Sequence, residues 1–181
     1  MILFRITLIV VLAGLPLACG DKKKPSTKSE PATASVLAPF ELKVDPGEAL
    51  AVVDAVAAAP KDDVVAVGRI GNIVKGFATF NLVDKTLDYC GAGGAMDNCA
   101  TPWDYCCIAA DEKAAHTLVV EVHGDNGEVL EADSLPGLRL LDLVVVKGKI
   151  QKDEHGNATI LATGWYRRER PKLRDGLNWP E

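Results

Sequence analysis

Aromatic side chains make up only 6% of the 181 residues, few for a protein that stacks bases or sugars. The formal net charge of -5 removes the basic excess that a nucleic-acid polyanion calls for, so no nucleic-acid partner is expected. After the apolar N-terminus no further apolar stretch of about 20 residues occurs, which leaves the body of the chain without a predicted membrane-spanning helix. Cys-x-x-Cys is missing, and with it the thioredoxin-like redox motif and the covalent haem site. The GAGG run at Gly91 to Gly94 is not followed by Lys-Ser or Lys-Thr, so it is no phosphate loop. Ser134 sits in DSLPG, which is not a nucleophile elbow, and neither Asp62-Asp63 nor Asp84 with Asp88 defines an acid–base pair. These absences predict a non-catalytic protein.

With 48% of residues hydrophobic and 25% charged, what remains is a foldable globular chain with one modest core. Residues 1–18 read as an export signal: Arg5 precedes an apolar run that is too short to span a bilayer comfortably and ends near Pro16. Ala18-Cys19-Gly20 follows directly. This resembles the lipobox of bacterial lipoproteins, although Pro16 stands where leucine is usual and Leu17 comes one place later. The resemblance implies cleavage before Cys19, lipid on Cys19, and a membrane anchor that places the protein at the bacterial cell envelope, facing the periplasm or the exterior. Residues 19–45, rich in Lys, Ser, Thr, Pro and Ala, are predicted to be a lipidated disordered tether, and residues 46–60 a short helix closed by Pro60.

Residues 61–168 read as a strand series. Val64 to Ile70, Phe77 to Val83, Leu118 to Val122, Leu143 to Ile150 and Ala158 to Tyr166 show β-type composition, and Phe77 to Val83 alternates apolar and polar residues. An all-β set this small protects its edges by closing. The glycine-bearing first strand VVAVGRIGNI, the acidic end of ATFNLVD and the late VVVKGKI segment resemble an OB-fold. The expectation is a mainly β, five-stranded OB-like barrel with a short N-terminal helix and a cysteine-rich loop between strands two and three; a small β-sandwich is the alternative. On that fold Phe77 and Asn81 fall on the customary ligand face. Residues 169–181 form a basic tail, expected to be solvated.

Between strands two and three, insertion 89–107 holds Cys90, Cys99, Cys106 and Cys107 together with Tyr89, Trp103, Asp104 and Tyr105. Four cysteines so clustered predict a cross-linked or liganded unit. In an oxidising compartment two disulfides are the first expectation, with Cys90 and Cys99 each paired to Cys106 or Cys107, because a Cys106–Cys107 bond closes a strained ring. Each bridge would stabilise the Gly-rich loop by roughly 2–4 kcal/mol. The alternative is zinc on the four thiolates, with His116 able to replace one, although Cys-x8-Cys-x6-Cys-Cys has no pair two residues apart. TPWDYCC resembles a loop of uncharacterised exported bacterial proteins, a likeness that implies no activity. The expected role is a binding or scaffold module that presents a stapled loop, with Trp103 and Tyr105 as binding surface, to an envelope protein partner; a metal-binding or redox-active protein is the second hypothesis.

Overall fold

A computed structural model describes residues 36–93, 99–172 and 179. The predicted signal, Cys19 and the first part of the tether lie outside the described residues. Among those described, no helix is long and apolar enough to cross a membrane.

In chain order the elements are β1 (Leu50–Ala51), α1 (Val52–Ala57), β2 (Lys61–Ile73), β3 (Gly76–Phe77), β4 (Thr79–Val83), α2 (Ala110–Ala115), β5 (Thr117–Glu121), β6 (Glu131–Ala132), β7 (Leu143–Lys152) and β8 (Ala158–Glu169). Side-chain alternation explains the strands. In β7, Gly148 and Ile150 face inward while Lys147, Lys149 and Gln151 face water, and in β4 Phe80 and Leu82 are buried between half-exposed Thr79 and Asn81.

Closure depends on the length of β2. Its 13 residues serve two neighbours: Lys61 to Arg69 pair with β7, and Arg69 to Ile73 pair with β4. β4 then pairs with β5, β5 with β8 and β8 with β7, so β2, β4, β5, β8 and β7 form a closed barrel. All of these pairings are antiparallel except β5 with β8, where Val120 lies beside Ile160. The protein is a mainly β, closed five-strand OB-like barrel, and the β2–β7 ladder excludes the sandwich alternative. The register of β2 against β4 slips between Ile70 and Asn72, a bulge centred on Gly71. A side chain at Gly71 would strike Val83 Cγ2.

Inside the barrel, Phe80, Leu82, Leu118, Val120, Val144, Val146, Ile150, Ile160 and Trp165 form the main core. α1 adds Val52 and Ala55, both fully buried. Gly68 makes room for it, since a Cβ there would come within 2.8 Å of Val52 Cγ2.

Two stretches differ from expectation. Residues 37–45, read from composition as the end of a disordered tether, run along β8: Leu37 is fully buried, Phe40 stacks on Trp165 with centroids 6.1 Å apart, and Leu42 N–H donates to Trp165 O at 2.8 Å. A few apolar residues in a polar stretch suffice once they find an apolar slot. The basic residues at the end of β8 and at the start of the tail are likewise engaged rather than free. Arg168 pairs with Asp45 at 2.7 Å, and Arg170 holds buried Asp142 through Nε and Nη2, each at 2.7 Å.

Candidate functional site

The excursion between β4 and β5 begins and ends at neighbouring points of the barrel, because Val83 pairs with Thr117 and Asp84 N–H donates to His116 O at 2.9 Å. Asp84, fully buried, organises this entrance. Its Oδ1 accepts from Thr86 N–H (2.9 Å) and Thr86 Oγ1 (2.8 Å), while Oδ2 accepts from Val53 N–H (3.2 Å) at the start of α1. Burial alone raises a carboxyl pKa, yet these hydrogen bonds, with one more from Val52 N–H, outweigh it and hold Asp84 below its ordinary value.

Within the excursion two arms lie against each other. Cys90 N–H donates to Asp104 O (2.8 Å) and Gly91 N–H to Pro102 O (2.7 Å). Any larger residue at Gly91 would collide with Pro102, its Cβ falling 2.8 Å from Pro102 Cβ. Beneath the arms is a second, smaller core of Val83, Leu87, Tyr105 and Leu141, flanked by half-buried Tyr89, Trp103, Ile108 and Trp179. Arg69 reaches up from β2, donates to Leu141 O at 3.2 Å and lies over the Tyr89 ring at 5.8 Å.

This packing gathers the sulfurs of the four cysteines in the excursion. Cys90 Sγ lies 3.2 Å from Cys106 Sγ and 3.8 Å from Cys107 Sγ, and Cys106 Sγ lies 3.9 Å from Cys107 Sγ and 3.8 Å from Cys99 Sγ. A disulfide requires about 2.05 Å. The expected staples are therefore not formed, and all four cysteines are free. The paired arms bring Cys90 up against the vicinal pair as a whole, so its sulfur faces both Cys106 and Cys107 instead of bonding to one.

The separations suit a different bond. An ion with tetrahedral metal–sulfur bonds of about 2.3 Å holds its ligands about 3.8 Å apart. Cys90, Cys106 and Cys107 lie with their sulfurs all within 4.8 Å of one another, and Cys99 joins them through Cys106. Cys90 is buried while Cys106 and Cys107 are exposed, so the cluster has a fixed floor and an open rim. The thiols differ in acidity. Hydrogen bonding from the Thr101 side chain, then its backbone, lowers Cys99, whereas contact with Cys90, Cys99 and Cys107 pushes Cys106 up to about 12. Contact with Cys90 also raises Cys107. A metal ion would displace these protons and bind the thiolates directly.

His116 stands outside the group. It caps the end of α2 with Nδ1 2.8 Å from Glu112 O. Of the other residues expected to bind, Asn81 and Tyr105 come together in a cleft of about 240 Å³ between the barrel face and α2, with Asn72, Asp104 and Lys113. Tyr105 is buried with its hydroxyl unpartnered, and burial raises its pKa. Trp103 is half-buried against the smaller core, and Phe77 is 47% exposed on β3 opposite Glu131, outside this cleft. Lys113 was not legible beforehand, and Asn72 reaches the cleft just past the Gly71 bulge, for which Gly71 was the only signal.

No protein-family model matches the chain, and no curated protein matches it. The class defined by fold and site is an OB-like barrel with a four-thiol lobe between its second and third barrel strands.

Proposed function

We propose that this chain is a lipid-anchored protein of the bacterial cell envelope whose β4–β5 lobe binds a soft metal ion at the cluster of Cys90, Cys106 and Cys107, with Cys99 at its edge. The observation behind this reading is that Cys90, Cys106 and Cys107 hold their sulfurs 3.2–3.9 Å apart, close to the spacing of thiolates around one ion, with Cys99 Sγ 3.8 Å from Cys106 Sγ. Zinc suits an all-sulfur set, as does any d10 ion that prefers thiolate. The barrel serves as a rigid mount, and the role is binding rather than turnover, with neither substrate chemistry nor nucleic acid involved. The anchor rests on the Cys19 sequence context and has its own test: Cys19→Ala should release the protein from membranes.

A second reading draws on the shortest contact. Cys90 and Cys106, at 3.2 Å, are the pair nearest to bonding, and oxidation there would leave Cys99 and Cys107 to form a second bridge. The lobe would then be a stapled scaffold for an envelope protein partner. Intact mass, thiol counting and metal analysis on the full chain purified from an oxidising compartment separate the two readings. Free thiols with one metal per chain support the metal site. A mass four hydrogens below the reduced chain, without metal, replaces it with the stapled scaffold.

A further inference from the structure

We infer that the cargo of this centre is a soft monovalent cation, Cu(I), seated on Cys90, Cys106 and Cys107, with Cys99 as the sulfur that hands it in and out. The inference rests on the thiolate reading above and goes further by assigning unequal roles to the four cysteines.

Three observations carry it. First, the sulfurs are not equivalent: Cys90, Cys106 and Cys107 all lie within 4.8 Å of one another, and Cys99 is outside that set, meeting it through Cys106 at 3.8 Å. Zinc in structural sites is almost always tetrahedral with four ligands, whereas Cu(I) is satisfied by three thiolates. Second, the donors within the mutual set are sulfur alone, with no imidazole or carboxylate to favour a harder ion. Third, a structural site is closed, and this one is open. Cys106 and Cys107 are exposed, Cys99 is half-exposed, and only Cys90 is buried, held from behind by its N–H bond to Asp104 O. An open rim gives the sulfur of a delivering or receiving partner access to the ion.

Loading is ligand exchange without a change in oxidation state. A partner thiolate–copper bond breaks as the Cys99–copper bond forms, Cys106 and Cys107 then displace the remaining partner sulfurs, and the Cys99–copper bond breaks as Cys90 bonds, which leaves copper on three thiolates and Cys99 free to take up a proton. Each cysteine thiol loses its proton as its sulfur bonds, the protons pass to the departing sulfurs or to water, and copper stays in the +1 state throughout.

The test uses the full reduced chain, titrated anaerobically with Cu(I) buffered by bathocuproine disulfonate. The expected result is one Cu(I) per chain, with three sulfur neighbours by X-ray absorption. Cys99→Ser should keep the wild-type affinity within a few-fold but slow transfer from the chelator, while Cys106→Ser, which removes a direct ligand, should weaken binding roughly a hundredfold or more. Four sulfur neighbours in the wild type overturn the inference, and this readout does not depend on how any variant folds. Equal loss of affinity in Cys99→Ser and Cys106→Ser overturns it as well. If the wild type binds Zn(II) through four sulfurs but takes no Cu(I), the inference fails and the metal-site proposal stands; if the reduced chain binds neither ion, both fail.

Discussion

The barrel and the lobe it carries are held together by different means. The barrel buries Trp165, Phe80, Ile70, Leu82, Leu118, Ile150 and Ile160 to 1% exposure or less, and each of its five strands has a hydrogen-bonded neighbour on both sides. In the excursion from Asp84 to His116 the only regular element among the described residues is α2, and its core is limited to Val83, Leu87, Tyr105 and Leu141, two of which the barrel strand β4 and the loop before β7 supply. Apolar burial contributes about 25 cal/mol per Å², so the barrel stands on its own core while the lobe depends on additional ties. Those ties are the Asp84 hydrogen bonds, the paired arms and the four sulfurs. Loss of the sulfur centre should therefore loosen the lobe and spare the barrel.

The largest effect expected is on the barrel side of this comparison. Phe80→Ala removes a fully buried ring from the centre of β4 and should lower global stability by about 3–5 kcal/mol in urea denaturation. A loss below about 1 kcal/mol would mean that the barrel core is not the main support of the fold, and the contrast would collapse.

The strands were legible because a half-buried strand writes its period into the sequence. Phe80 and Leu82 alternate with Thr79 and Asn81, and Gly148 and Ile150 with the lysines of β7, the pattern that one wet face imposes. Leu37 and Phe40 were hidden among Pro, Ala and Ser, since they pack on the distant barrel core, Phe40 on Trp165 more than a hundred residues away. The cysteine cluster announced itself by number and proximity in sequence. Whether its sulfurs bond or converge depends on how the arms at Cys90–Gly91 and Pro102–Asp104 pair, and backbone pairing of irregular loops leaves no period to read. Asp84 was visible only as an acidic turn residue, because its partner at Val53 belongs to another element.

Asp84→Ala comes next in size, since it acts at the joint between the two regions. It strands the N–H groups of Thr86 and Val53 and should cost about 1–3 kcal/mol, with both α1 and the lobe entrance loosening. The pH dependence has a definite sign. The folded pKa of Asp84 lies below its unfolded value near 3.9, so its contribution is complete above that value and fades as pH falls through the lower folded pKa. Comparing the wild type with Asp84→Asn between neutral and acid pH checks this: the gap between them should narrow on acidification, and a gap that widens would contradict the assignment.

Stripping metal, or replacing Cys106 by Ser, should act on the lobe alone. Amide exchange is expected to speed up at Cys90 and Gly91, whose N–H groups tie the arms together, while those of β4 and β7 stay protected and the unfolding midpoint of the barrel is unchanged. Equal loss of protection in both regions would show that they unfold as one unit and end the distinction drawn between them.

The smallest effect lies at the strap. Asp45 accepts hydrogen bonds from Arg168 Nε at 2.7 Å and Nη2 at 2.8 Å, and this pairing holds its pKa down to about 2. The pair is partly solvated, so salt and water screen it and Arg168→Ala should leave the denaturation curve nearly unmoved. The local readout is sharper. With the arginine gone, residues 42–45 lose their outer tether, and the Leu42 N–H that donates to Trp165 O should exchange faster, while Leu37 and Phe40 keep their end of the strap in its apolar slot. Because the Asp45 pKa is depressed, the pair is intact above the ordinary carboxylate range near 4 and is lost as pH falls through about 2. Acid should therefore accelerate Leu42 exchange relative to its intrinsic rate in the wild type but not in Arg168→Ala. A strap that stays equally protected in both proteins would place its stability entirely in the Trp165 slot, which would make the segment part of the barrel core.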